Sequence, residues 1–165
     1  MKKLILLLLL IPFISFSQTY KDVMSIKSED MFKKVAIENG YEYDSTDNLA
    51  EFNDWIIYGF NITRDSIKGS QSLKWMYYNS KVDRFILAFS RESSIDELIG
   101  LETNHSKNPY DLIVNNIKQK CKYYKIINYN GIDFVTYSCS ESSYKGKIGF
   151  VISEGRGLIR HFPKE

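Results

Sequence analysis

The chain has only two cysteines and two histidines, and their spacing limits the chemistry they can do. Cys121 and Cys139 lack the Cys-x-x-Cys spacing that tunes a thiolate for redox work. Cys121 ends an apolar helical stripe, and Cys139 shares a strand face with Val135 and Tyr137. A helix laid on that face would bring the two sulfurs together, so a structural disulfide is expected, worth about 3 kcal/mol on a loop-entropy argument. Two buried free thiols, or a redox or nucleophilic role, are the alternatives.

His105 lies in a polar Thr-Asn-His-Ser loop, and His161 stands two residues before Pro163. No His-x-x-His or His-x-x-x-His pair concentrates metal ligands, so both read as ordinary surface or strand-face histidines, and no metal is assigned. Acid–base catalysis needs carboxylates in a cleft with separated pKa values. Asp44, Asp47, Glu51, Asp54, Asp83, Glu92, Asp96, Glu97, Asp133, Glu141 and Glu154 nearly all fall instead at turns or strand ends. The serines around Cys139 form no Gly-x-Ser-x-Gly elbow. Gly146, Gly149, Gly155 and Gly157 carry no Walker Lys-Ser/Thr pair, and Glu154 sits inside what would be the anion nest. No catalytic residue and no cofactor is assigned, and whether the chain is an enzyme stays open.

Lys118, Lys120, Lys122 and Lys125 interleave with Tyr123 and Tyr124, a pattern that could follow a nucleic-acid backbone. Lysine stems covering a sheet edge explain it more simply. Overall charge agrees: Lys and Arg number 22 against 20 Asp and Glu, and the excess of two is matched by Lys2 and Lys3 at the N-terminus. Those two lysines open a leader. Leu4 to Phe16 form an apolar run broken by Pro12, and Ser15 and Ser17 place small residues at −3 and −1 of a cut before Gln18. The run is short of the roughly 20 apolar residues a span needs. Residues 1–17 are therefore read as a signal peptide, leaving a neutral chain with no integral membrane span and no nucleic-acid partner, exported to the periplasm or the extracellular space.

Residues 18–165 fit a single compact α+β domain. Ser28 caps a helix running to Gly40, and Asn108-Pro109 opens a second whose stripe is Tyr110, Ile113, Val114, Ile117 and Cys121. After each helix come about four aromatic and β-branched runs: roughly 41–45, 54–61, 72–79 and 84–90, then 123–129, 132–139, 146–153 and 157–162. Asn130-Gly131 and Glu154-Gly155 are hairpin turn signals. The halves read as one pattern used twice, about 25–90 and 106–163. Trp55 to Phe60 answers Phe134 to Cys139, and Phe85 to Phe89 answers Leu158 to Phe162. The expected fold is thus tandem helix-plus-antiparallel-sheet units with helices packed on one face of the sheet. The alternative is one continuous α+β domain without duplication. Ile95, Leu98, Ile99 and Leu101 in the joining segment predict a packed helical turn.

Several strands are apolar on both faces. Trp55 and Ile57 alternate with Ile56 and Tyr58, and Trp75 and Tyr77 with Met76 and Tyr78. A solvated second face would alternate with polar residues. Trp55, Tyr58, Trp75, Tyr77 and Tyr78 are therefore candidates for an interaction surface.

The leader ending Ser-Phe-Ser-Gln, the Asn, Ile, Lys and Tyr bias and the run Lys145 to Val151 resemble small exported proteins of Bacteroidetes. The doubled helix-plus-four-strand pattern also resembles the β-lactamase inhibitory proteins, whose repeats present a sheet surface to a protein partner. The resemblance implies that architecture and places no binding residue here. Three functions follow as expectations. The first is an exported interaction protein holding a protein, a peptide or an apolar ligand. The second is a structural envelope component or homodimer, and the third a small secreted or periplasmic hydrolase.

Overall fold

The computed structural model describes residues 18–44, 55–79, 81, 84–90, 108–140 and 144–163. The leader, the joining segment with its expected helical turn, and His105 lie outside the described residues. Two helices, α1 (Tyr20–Ser25) and α2 (Glu29–Glu38), precede β1 (Tyr41–Tyr43), β2 (Trp55–Phe60), β3 (Thr63–Asp65), β4 (Gly69–Gln71), β5 (Lys74–Asn79) and β6 (Arg84–Ser90). Then come α3 (Pro109–Lys120), β7 (Lys122–Tyr129), β8 (Ile132–Ser138), β9 (Lys147–Ser153) and β10 (Arg156–Phe162). Eight strands form one antiparallel sheet in the order β1-β2-β5-β6-β10-β9-β8-β7, and β3 pairs only with β4. The fold is α+β.

Each helix begins where a side chain satisfies an exposed backbone N–H. Thr19 and Asp22 close a capping box on α1. The Ser28 hydroxyl accepts from the Met31 N–H at 3.3 Å, and the Asn108 carboxamide oxygen from the Tyr110 N–H at 3.0 Å. Pro109 occupies the first turn of α3, as its missing N–H allows. Both expected hairpin turns form: Asn130 and Gly131 have φ of 50° and 80°, Glu154 and Gly155 of 49° and 71°. Two consecutive left-handed residues give the type I′ geometry that matches strand twist.

The core joins all three helices to alternate strand residues. Val23, Ile26, Phe32, Ala36, Ile113 and Ile117 meet Met76, Phe85, Leu87, Ile148 and Ile159 in one cluster, every one at 0–1% exposure. Phe32 organises the α2 side, stacking on Tyr78 at 5.3 Å and meeting the edges of Tyr58 at 5.7 Å and Phe85 at 6.2 Å. Gln18 is also buried; its amide nitrogen donates to the Met76 sulfur at 2.8 Å, and its carbonyl accepts from the Tyr41 hydroxyl at 2.9 Å.

Cys121 and Cys139 are joined in a disulfide with a Cα–Cα distance of 4.4 Å. It ties the C-terminal end of α3 to the residue just after β8, across the interface that the helical stripe and the strand face predict. Among the described residues no helix is long and apolar enough to cross a membrane.

Candidate functional site

The register sorts every strand residue onto one of two faces. On β2 and β5 the even-numbered residues Tyr58, Met76 and Tyr78 belong to the core cluster, and Trp55, Ile57, Trp75 and Tyr77 point the other way. On β6 and β10 the second face carries Arg84, Ile86, Ala88 and Ser90 opposite Arg156, Leu158 and Arg160. Tyr58 and Tyr78 are therefore not surface residues: they are 7% and 4% exposed, enclosed by Phe32 and the other helix side chains. Sequence alternation could not say which of the two aromatic sets would meet the helices.

The other three candidates share the second face but not one environment. Trp75 stands opposite Gly59, whose missing side chain leaves room for the ring; a Cβ there would fall 2.9 Å from the indole and 2.6 Å from Ile62. Trp55 and Tyr77 instead wall an open groove of about 210 Å³, with Ile86, Ala88 and Leu158 as its apolar lining and Arg156 at its rim. The groove crosses the middle of the sheet, where β6 pairs with β10 and Leu158 stands opposite Ala88. Its residues from β6 and β10 were not singled out by sequence. The usable signal was the alternation of Phe85, Leu87 and Phe89 with Ile86 and Ala88, which leaves a second apolar row once the first is in the core.

Beyond β10 the second face fills itself. The rings of Phe134 and Phe162 meet edge to face at 5.5 Å over Gly149. A Cβ on Gly149 would come within 2.7 Å of the Phe162 ring and 2.9 Å of the Thr136 methyl, so this strand glycine relieves crowding under aromatic neighbours. Nearby, the Arg84 guanidinium donates to the Tyr129 hydroxyl at 2.9 Å, and Arg160 stacks on the same ring at 3.4 Å from its centroid. Tyr129 is on edge strand β7 and Arg84 on β6, with three strands between them, so this half of the sheet curls towards the second face. Burial lowers Arg160 from its ordinary value, with the neighbouring Arg84 charge acting in the same direction. Burial alone would raise Tyr129, but the two guanidinium groups outweigh it and lower the phenol.

His161 is not on the surface. It points into the core at 1% exposure, stacked on Tyr144 at 3.8 Å with Phe85 at 5.0 Å. Burial pushes its pKa down to about 3, opposed only weakly by a hydrogen bond with the Val23 backbone, so the ring is neutral. Among the described residues no three His, Cys, Asp or Glu side chains gather into a set that could hold a metal ion. Three of the four lysines that interleave with aromatics lie over rings: Lys118 over Phe150 at 5.5 Å, Lys120 over Tyr20 at 4.9 Å, Lys125 over Tyr124 at 5.2 Å.

Comparison of the chain with protein families, with curated proteins and with solved structures finds no match.

Proposed function

We propose that the chain is an exported interaction protein that holds an apolar or aromatic part of a protein, peptide or small ligand in the groove between Trp55, Tyr77, Ile86 and Leu158. The observation that carries the reading is the groove itself: two large rings and three aliphatic side chains meet around about 210 Å³ of open space, at mid-sheet and outside the core cluster. Concave, mostly apolar surfaces with a single polar group at the rim are the usual form of ligand sites, and Trp and Tyr contribute most per residue at interfaces. The leader and the Cys121–Cys139 disulfide support export, since disulfides persist in oxidising compartments.

The architecture is best described as two helix-plus-four-strand units placed back to back, with the helices on one face. Three features support that description. The strand order is symmetric about the β6–β10 pair. The segments that answer each other in sequence, in β2 and β8 and in β6 and β10, occupy corresponding places in the two halves. The buried residues of all three helices share one cluster. The groove then sits where the two units join.

A second reading, self-association, is favoured by the β7 edge. It is eight residues long and stands last in the strand order of the described residues, with Tyr123 and Ile126 more than half exposed, and the end of a sheet is where strand addition takes place. The two readings separate in one experiment, titration with a neutral apolar fluorophore monitored beside molar mass by light scattering. Groove binding predicts saturable uptake by a monomer, lost in Leu158→Asp. A dimer that takes up no fluorophore, or uptake unchanged by Leu158→Asp, would count against the groove.

A further inference from the structure

Arg160 is a buried charge. It is 3% exposed, and its Nε has no hydrogen-bond partner. The guanidinium lies over the Tyr129 ring, 3.4 Å from its centroid, and 5.4 Å from the centroid of the Phe162 ring. The second cation, Arg84, is 5.2 Å from the Tyr129 ring and donates to its hydroxyl. Two positive groups therefore converge on one phenol. The ion pairs among the described residues lie on α2, Lys33 with Glu29 and Lys34 with Glu38, and no carboxylate pairs with either arginine.

Burying an unpaired charge costs several kcal/mol, and a lysine or histidine so placed would escape by losing its proton. An arginine cannot. Aromatic faces offset part of that cost, and the repulsion between Arg84 and Arg160 works against the gain. Among the described residues the site thus presents two forked donors and no paired carboxylate. Planar guanidinium groups match carboxylate and phosphate oxygens in geometry as well as charge.

We propose that Arg84 and Arg160, held by Tyr129, form a binding site for an oxoanion, a carboxylate or a phosphate group. Arg84 and Tyr129 are half-buried, so the anion enters from their side, with Arg160 as its inner donor. The site is separate from the groove lining and does not depend on the groove being occupied. Arg160 does stand opposite Ile86, which lines the groove, so one ligand with an apolar body and an acidic end could reach both.

The test is the thermal unfolding midpoint of the leaderless chain at neutral pH and fixed ionic strength, titrated with inorganic phosphate in one arm and acetate in the other. The site predicts a saturable rise in the midpoint in at least one arm, and the arm that responds identifies the anion. Arg84→Gln, a partly exposed position that spares the buried stack, should weaken the apparent affinity about tenfold or more. A Tyr129→Phe variant guards against an internal solution, in which Tyr129 ionises and supplies the counter-charge. A response in Tyr129→Phe with none in the wild type, together with tyrosinate absorbance at neutral pH, would overturn the proposal. So would a rise of equal size in wild type and Arg84→Gln, or no response in any arm.

Discussion

The two faces of the sheet are built from the same strands, yet they solve the problem of burial differently. On the core face Phe85, Leu87, Ile148 and Ile159 reach essentially zero exposure in one cluster with residues of the helices. On the second face the strands cover themselves: Trp75 lies over Gly59, and Phe162 over Gly149. Self-covering works where a glycine lets a neighbouring ring come close. At mid-sheet, where Ile86, Ala88 and Leu158 alternate without a glycine, it fails and leaves the groove. Arg84 and Arg160 mark a second gap, one of charge rather than of volume.

Changes on the core face should be the most costly. Leu87→Ala removes a fully buried side chain from the centre of the cluster and should cost about 3–5 kcal/mol in urea unfolding. A loss near 1 kcal/mol would mean that this face is loosely packed and that the contrast between faces is false.

His161 sharpens the same point through pH. Its pKa is about 3 in the fold against 6.5 for the free side chain, so the folded ring stays neutral while the unfolded chain takes up a proton below 6.5. Its stabilising contribution is therefore complete above that pH. It is lost as pH falls towards 3, with a slope of up to about 1.4 kcal/mol per unit. His161→Phe, which keeps a ring between Tyr144 and Phe85, should flatten the profile in that window. An unchanged slope would place the titrating group elsewhere.

Gly149→Ala tests self-covering on the second face. The added Cβ meets the Phe162 ring and the Thr136 methyl below 3 Å, so a cost of about 1–3 kcal/mol is expected. A neutral effect would show that the aromatic cover can shift aside. Truncating groove residues should matter least to the fold: Tyr77→Ala should cost about 1 kcal/mol or less, because its ring borders open space. A cost like that of Leu87→Ala would make the groove wall part of the core.

Much of the frame was legible in the sequence because it is local. Caps at Ser28 and Asn108, turns at Asn130-Gly131 and Glu154-Gly155, and alternation along β6 and β8 each fix structure within a few residues. Two elements escaped. Helix α1 has only six residues and rests on its capping box more than on any apolar period. The β3–β4 hairpin is almost wholly exposed, held at its turn by the Asp65 carboxylate accepting from the Ile67 and Lys68 N–H groups at 2.8 Å, and has no apolar alternation to find. The site was half legible. Aromatic excess pointed to Trp55 and Tyr77, but separating them from Tyr58 and Tyr78 requires knowing which row the helices cover. The unbalanced burial of Arg160 depends on Tyr129, 31 positions earlier and three strands away, and no spacing rule reaches that far.

The groove can be probed through its own wall. The chain has two tryptophans, so Trp75→Phe leaves Trp55 as the sole indole reporter. Titrating that variant with a neutral apolar ligand should shift Trp55 emission saturably, and adding Leu158→Asp should abolish the shift while leaving the unfolding transition in place. Trp55 emission that ignores the ligand, or that shifts equally with Asp at 158, would contradict a binding groove on the second face.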